Sequence, residues 1–259
     1  MCGIIGYIGY RNASPLLLNG LKRMVYRGYD SAGITCLNNN VFLTKKDVGQ
    51  ITDINKKLDF SSIKGNIGIG HTRWATHGKV SKINTHPHFS CDGNIGIVHN
   101  GIIENFQNIN KSLINSHNIR SETDTEIICH LFEEYYNKYN DEKKAVLKLV
   151  NKLEGAFSFV IINKHTGNLI GVRKDAPLIL GVGNDEYFIA SDILSFIDYT
   201  DNVIFLDNYE IVILTKNKHN IFNFKNNIVE KQIVKVAWEI GQISKKGFEH
   251  YTLKEIYDQ

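Results

Sequence analysis

The latter part of the chain is a succession of short apolar runs with no helical pattern between them. Ile, Val, Phe and Tyr, which favour strands, are frequent in these runs, and turn-forming residues separate them. The runs are 157–163, 169–173, 178–182, 187–190, 203–206, 210–214 and 219–224. So many short strands in direct succession indicate antiparallel sheets.

The earlier part of the chain mixes strands with amphipathic helices. Short apolar runs predict strands at 3–9, 33–37, 41–45, 67–71 and 95–99. Helical patterns cover 102–115, 125–139 and 142–152, and Ser14-Pro15 predicts the start of another helix. Thr123 and Glu126 fit a capping box ahead of the helix at 125–139. Strands, then helices, then strands predict an α+β fold in which the helices lie outside the sheets.

Composition excludes several classes of protein. The chain has 259 residues, of which 42% are hydrophobic and 22% charged, as expected for a globular protein. No apolar run approaches the ~18 residues of a membrane span, and no signal peptide is recognisable, so we expect a cytoplasmic protein without a membrane partner. The net charge of +3 is dispersed and does not indicate a nucleic-acid partner.

Cys2 is the residue that most sharply indicates a chemistry. An initiator Met before so small a residue is normally removed, which gives Cys2 a free α-amine. A thiol with a reference pKa of ~8.5 and an amine with one of ~8 then belong to a single residue, as in N-terminal nucleophiles. The alternative is a small apolar thiol in a buried first strand.

Three further segments contain residues suited to a substrate. Arg73, where a predicted strand enters a long loop, offers a planar fork of donors for a carboxylate; it could equally form a surface ion pair. Asn100 and Gly101 offer an amide and a backbone N–H to an oxyanion; they also fit a plain Asn-Gly turn. Asp124 could pair with an ammonium group or favour the start of a helix. Together with a thiol, these groups match glutamine, whose carboxamide releases ammonia when it is attacked.

The sequence resembles a known family, the glutaminase domains of glutamine–fructose-6-phosphate aminotransferases. The Cys2 start and Asn100-Gly101 are shared with all class II glutamine amidotransferases, whereas 26–33 and 71–78 are more particular to this branch. The similar segments are 1–6, 26–33, 71–78, 86–88, 98–105, 121–126 and 254–256.

The resemblance implies an N-terminal-nucleophile hydrolase fold, a four-layer α/β/β/α sandwich. It also implies that Cys2 attacks the glutamine carboxamide to form a thioester, with Asn100 and Gly101 holding the oxyanion. Arg73 would bind the α-carboxylate of glutamine and Asp124 its α-ammonium group. The remaining roles that it implies are a lining of the pocket by Thr76 and His77, a loop 73–80 that closes over it, a gate at Trp74, and an orienting contact from Arg27.

The resemblance further implies a division of the chain. Residues 2–235 would form the glutaminase domain, and residues 236–259 would lead toward sugar-isomerase domains that bind fructose 6-phosphate. Those domains would need a few hundred residues more than this chain has. We expect no cofactor, and we expect the longer protein to form a homo-oligomer.

The sequence alone leaves three alternatives open. His71, His77, His86, His88 and Cys91 crowd into one stretch and could bind zinc, but neither HExxH nor paired CxxC spacing is present, so we predict no metal. The domain could instead sense glutamine without turning it over. It could also belong to another class II amidotransferase, such as the purine-pathway or glutamate-synthase type.

Overall fold

The described part of the chain, residues 2–236 of a computed structural model, contains five α-helices, three short 3₁₀ helices and fourteen strands. The helices are α1 (Ala13–Arg23), α2 (Ile51–Leu58), α3 (Phe106–Leu113), α4 (Asp124–Tyr139) and α5 (Glu142–Val150). The strands before α3 are β1 (Gly3–Ile8), β2 (Ser31–Asn38), β3 (Val41–Val48), β4 (Ile67–Arg73), β5 (His88–Phe89) and β6 (Ile95–Gly101). Those after α5 are β7 (Phe157–Asn163), β8 (Asn168–Lys174), β9 (Ile179–Val182), β10 (Tyr187–Ala190), β11 (Asn202–Phe205), β12 (Glu210–Leu214), β13 (His219–Asn223) and β14 (Val234–Lys235).

The strands form two sheets whose neighbouring strands are antiparallel. The larger sheet has the order β14-β11-β9-β10-β1-β4-β2-β3, and the smaller one β13-β12-β8-β7-β6-β5. The sequence-based prediction of antiparallel sheets is therefore confirmed. No helix within residues 2–236 is both long and apolar enough to cross a membrane.

The two sheets pack face to face and each carries helices on its outer face. Along β1, Ile4 and Ile8 belong to the core between the sheets, whereas Ile5 and Tyr7 belong to the core under α1 and α2. Along β7 the same alternation sends Val160 inward and other residues toward α3, α4 and α5. This period of two follows from the pleat of a strand that is buried on both faces. The layers are therefore α/β/β/α, as predicted.

Two local predictions about the helices need correction. The helix predicted over 102–115 is shorter, because α3 spans only Phe106–Leu113. The helix α4 begins at Asp124, but Thr123 makes no capping hydrogen bond with its side chain. The carboxylate of Glu126 instead accepts from the backbone N–H groups of Arg120 and Ser121, which precede the helix. Of the predicted linker, 236–259, residues 237–259 lie outside the described residues.

The antiparallel pairing brings the ends of particular strands together. Gly3 at the start of β1 pairs with Thr72 near the end of β4, so Cys2 lies beside Arg73. Strand β6 of the facing sheet ends at Gly101. The backbone N–H of Ile103, which follows β6, donates to Asp124 Oδ2 over 2.9 Å and so attaches the first residue of α4 to the same end of the sandwich.

Candidate active site

Cys2 is half-buried and its sulfur contacts the loop that follows β4. The Trp74 backbone N–H donates to Cys2 Sγ over 3.3 Å, and the thiol lies 3.5 Å from the Trp74 carbonyl oxygen. Burial raises the pKa of the Cys2 thiol, an effect that the Trp74 hydrogen bond reduces only in part. The resting sulfur is therefore a neutral thiol at pH 7, and it needs a base to become a nucleophile.

Asn100 contacts the same residue from the facing sheet. Its Oδ1 accepts a hydrogen bond of 3.2 Å from the backbone nitrogen of Cys2. Its Nδ2 is buried and has no hydrogen-bond partner among residues 2–236. A buried amide donor without a partner is unfavourable by ~1–3 kcal/mol, so this group is suited to bind an oxygen of a ligand.

Gly101 has a backbone conformation that other residues rarely adopt. Its φ angle is +128°, and a Cβ atom there would lie 2.1 Å from the carbonyl oxygen of Ala156. Only glycine fits this position, for steric reasons that are independent of any chemistry. The Asn100-Gly101 pair therefore ends β6 in a backbone conformation that favours glycine. This conformation is more specific than the plain turn that the sequence alone could not exclude.

Arg73 is buried and holds the loop that follows it. Its guanidinium donates to three backbone carbonyl oxygens, those of His77, Gly78 and Lys79. Asp30 supports the same loop, since its Oδ2 accepts from the backbone N–H of Ala75 over 2.8 Å. The loop 74–80 is thus fixed at both ends by charged side chains. A role for Asp30 had no signal in the sequence beyond its place in the segment 26–33.

The predicted residues meet around one cavity. Most of the residues that the sequence nominated line it, namely Cys2, Arg73, Trp74, Thr76, His77, Gly101 and Asp124. The volume is about 20 Å³, which is room for about one water molecule. Glutamine is much larger than this volume.

Arg27 is not among the residues that line this cavity. Its guanidinium donates to Asp192 Oδ2 over 2.9 Å. Ser191, the neighbour of Asp192, accepts a hydrogen bond from the backbone N–H of Ile4 over 2.9 Å. Arg27 is therefore linked to the start of β1 through Asp192 and its neighbour Ser191.

Four residues that line the cavity were not assigned a role from the sequence: His86, His99, Thr123 and Thr125. His99 precedes Asn100 and the two threonines flank Asp124, whereas His86 was considered only as a possible zinc ligand and Thr123 only as a helix cap. Thr125 Oγ1 lies 3.0 Å from His99 Nδ1 and 3.3 Å from His86 Nε2. Burial lowers the pKa of both histidines, so this hydrogen-bonded wall of the cavity is uncharged at pH 7.

The zinc alternative based on this histidine-rich stretch is not supported by the geometry. His71 and His86 stack with ring centroids 4.0 Å apart, and His88 Nε2 lies 3.2 Å from Thr123 Oγ1. Within residues 2–236, the single group of side chains arranged to hold a metal ion includes Cys91 but none of these histidines. His71, His86 and His88 are better described as hydrogen-bonded and stacked groups of the core.

Comparisons with known proteins agree with this geometry. A family model described as a glutamine amidotransferase domain matches residues 71–198. The glutamine–fructose-6-phosphate aminotransferase (isomerizing) of Thermococcus kodakarensis is 45% identical over 262 residues, which is 100% of this chain and 44% of that protein. The enzyme of the same name from Aquifex aeolicus is 46% identical, again over 100% of this chain and 44% of that protein.

Solved structures show the same fold. The glutamine phosphoribosylpyrophosphate amidotransferase of B. subtilis superimposes with a TM-score of 0.77 at 24% identity, covering 88% of this chain and 50% of that one. A structure described as the allosteric regulatory enzyme of purine biosynthesis gives a TM-score of 0.78 at 26% identity, with the same coverage. The predicted N-terminal-nucleophile fold is thereby confirmed.

The chain therefore belongs to the class II glutamine amidotransferases. Within that class it is similar throughout its length to the N-terminal half of glutamine–fructose-6-phosphate aminotransferases, and it is more distant from the purine-pathway structures. The chain spans less than half the length of those curated relatives.

Proposed function

We propose that this domain hydrolyses the side-chain amide of glutamine to glutamate and ammonia, with Cys2 as the nucleophile. One observation carries the proposal: Cys2 lines one cavity together with Arg73, Asp124 and Gly101. A free amino acid with a side-chain carboxamide requires a thiol for the attack, a cation for its carboxylate and an anion for its ammonium group. It also requires a donor for the oxyanion, which the strand end at Gly101 supplies in this proposal.

The two ends of free glutamine have matching partners in this proposal. Arg73 binds the α-carboxylate, because a guanidinium offers paired donors in one plane. Asp124 binds the α-ammonium group, and its carboxylate is already oriented by the Ile103 N–H. Thr76 and His77 line the cavity beside them, and Trp74, which is 44% exposed, forms its gate.

Cys2 supplies its own base once Met1 is removed. Its nitrogen is then an α-amine with a reference pKa of ~8, still within reach of Asn100 Oδ1. The amine accepts the thiol proton, directly or through water, as sulfur attacks the carboxamide carbon. Because burial raises the pKa of the thiol, the amine is needed to generate the nucleophile.

The reaction then has two halves. Attack of Cys2 Sγ turns the carbonyl oxygen into an oxyanion, which Asn100 Nδ2 and the Gly101 N–H stabilise. The α-ammonium of Cys2 returns the proton to the leaving nitrogen, the C–N bond breaks, and ammonia leaves a γ-glutamyl thioester. Water attacks the thioester with the amine again as base, and glutamate and the free thiol result.

We extend the proposal to a longer protein on the basis of the relatives' names. In it, residues 2–235 form the glutaminase domain, and the ammonia is used to aminate fructose 6-phosphate at domains that lie beyond residues 236–259. Strand β14, which ends at Lys235, still pairs with β11, and this supports a boundary at 235. The longer protein forms a homo-oligomer in this proposal.

The test is an ammonia-release assay with glutamine, accompanied by mass spectrometry of the N-terminus. Protein that has lost Met1 should release ammonia, and Cys2→Ala should abolish release while the circular dichroism spectrum is unchanged. The matched control is Cys36→Ala, which removes a buried thiol from the opposite face of the larger sheet and should keep activity. Full activity in Cys2→Ala, or binding of glutamine without turnover by the processed protein, would refute the proposal; the second result would establish a sensing module.

A further inference from the structure

A second group of side chains with metal-binding chemistry lies away from the glutamine cavity. Cys91 is in the turn between β5 and β6, His117 follows α3, and His130 and Glu133 occupy one face of α4. Each offers one potential ligand atom, and these atoms all lie within 4.8 Å of one another. The side chains of His117, His130 and Glu133 are 8%, 1% and 5% exposed.

Four of the six distances between the ligand atoms match the edges of a tetrahedron around a zinc ion, and all six are within 4.8 Å. Cys91 Sγ lies 3.5 Å from His117 Nδ1 and 3.6 Å from His130 Nδ1. Glu133 Oε2 lies 3.2 Å from His117 Nδ1 and 3.4 Å from His130 Nδ1. For Zn–S, Zn–N and Zn–O bonds of ~2.3, ~2.05 and ~2.1 Å, a regular tetrahedron has S···N edges of ~3.5 Å and N···O edges of ~3.4 Å.

The outer nitrogens of both histidines face further carboxylates. His117 Nε2 lies 3.3 Å from Glu134 Oε1, and His130 Nε2 lies 3.6 Å from Glu126 Oε1. Metal-bound histidines typically direct the second ring N–H to a carboxylate, as His117 does here. His130 Nε2 makes no hydrogen bond within residues 2–236. The Glu134 contact fixes the tautomer of His117, since a proton on Nε2 leaves the Nδ1 lone pair free for a metal.

The backbone orients the two remaining ligand atoms. The Asn118 N–H donates to Cys91 Sγ over 3.3 Å, a contact that stabilises a thiolate. Glu133 accepts from the backbone N–H groups of Cys91 and Asp92 over 3.2 and 3.1 Å. The carboxylate therefore remains fixed at the position where its free lone pairs face the two imidazoles.

The two imidazoles lie side by side, with ring centroids 4.9 Å apart and ring planes inclined by 48°. Both Nδ1 atoms therefore lie close to Cys91 Sγ and to Glu133 Oε2. One metal ion there would be bound by the lone pairs of both Nδ1 atoms, the carboxylate and the thiolate together.

We propose that Cys91, His117, His130 and Glu133 bind one zinc ion as a structural site. Four protein ligands fill a tetrahedral shell, which is typical of structural rather than catalytic zinc. Cys91 loses its proton to solvent when its sulfur binds the metal. The ion would tie the turn after β5 and the segment after α3 to α4, whose first residue lines the glutamine cavity. The proposal departs from the sequence-based prediction of no metal and does not depend on the proposed glutaminase activity.

Cobalt(II) is the appropriate probe, because a tetrahedral cobalt site with a thiolate ligand has intense visible bands and a sulfur-to-cobalt charge-transfer band. The full chain is titrated with Co²⁺ in a Cys2→Ala background, since Cys2 is the other cysteine with an accessible thiol, whereas Cys36 and Cys129 are buried. We expect one equivalent of Co²⁺ to bind with both kinds of band, and Zn²⁺ to displace it.

The variants identify the ligands. Cys91→Ser should eliminate the charge-transfer band and weaken binding by at least about tenfold, and His117→Gln should weaken binding similarly. The matched control is His165→Gln, an exposed histidine outside the group, which should bind Co²⁺ like the parent. A charge-transfer band that survives Cys91→Ser, or no stoichiometric binding in a parent chain that circular dichroism shows to be folded, overturns the proposal.

Discussion

The backbone nitrogen of Cys2 donates a hydrogen bond of 3.2 Å to Asn100 Oδ1, across 98 positions of sequence and between the two sheets. The contact joins the start of β1 to the end of β6. It also determines the orientation of the Asn100 amide, since accepting through Oδ1 leaves the buried Nδ2 without a protein partner among residues 2–236. The same bond therefore positions the proposed base and orients the proposed oxyanion donor.

The first prediction concerns that donor. Asn100→Ala should lower kcat for glutamine hydrolysis by ~10²–10³, because it removes one of two oxyanion donors, with a smaller change in KM. The ammonia-release assay measures both constants, and Asn19→Ala, at an exposed position on α1, is the control. A loss confined to KM would assign Asn100 to substrate binding instead.

The second prediction concerns the carboxylate end of the substrate. Arg73→Lys should raise the KM for glutamine by at least about tenfold, because a single ammonium group cannot replace a planar fork of donors. The substitution also leaves part of the loop 77–79 without its donors. Arg23→Lys, at an exposed ion pair with Asp198, should leave the kinetics unchanged. Equal KM values in the two variants would remove Arg73 from the site.

The third prediction separates steric clash from backbone strain at Gly101. Gly101→Ala should destabilise the fold by several kcal/mol, because it combines a positive φ with a Cβ only 2.1 Å from the Ala156 oxygen. Gly49→Ala has a φ of +108° but nothing within 4 Å, and it should cost only ~1–2 kcal/mol. Urea unfolding measures both. Equal losses would show that crowding at Gly101 is not significant.

The fourth prediction concerns pH. For protein without Met1, kcat/KM should rise as the pH increases through about 8, where the Cys2 α-amine loses its proton and becomes a base. The direction of the thiol shift supports this assignment: burial raises the pKa of Cys2, so thiolate does not form independently at lower pH. Protein that retains Met1 lacks the amine and should show very low turnover. A profile that is flat from about pH 6 to 9 would exclude the amine as base.

The site illustrates how far sequence reasoning reaches. Cys2, Arg73, Gly101 and Asp124 were nominated separately, each at the end of a predicted strand or the start of a predicted helix, and they line one cavity. Strand ends at the same side of the sandwich come close together once the strands pair in antiparallel sheets. Arg27 was nominated by resemblance alone. It does not line the cavity and instead forms an ion pair with Asp192.

What the sequence determined was the succession of short apolar runs, and with it most of the strands and the antiparallel arrangement of the sheets. A short apolar run bounded by turn residues is a local property of the chain, so the strand can be predicted without coordinates. Only the tertiary structure decided which side chains meet across the layers. Three features depend on distances between segments that no spacing in the chain encodes. They are the unpartnered amide nitrogen of Asn100, the hydrogen bond from the Arg120 backbone N–H to the Glu126 carboxylate, and the convergence of Cys91, His117, His130 and Glu133.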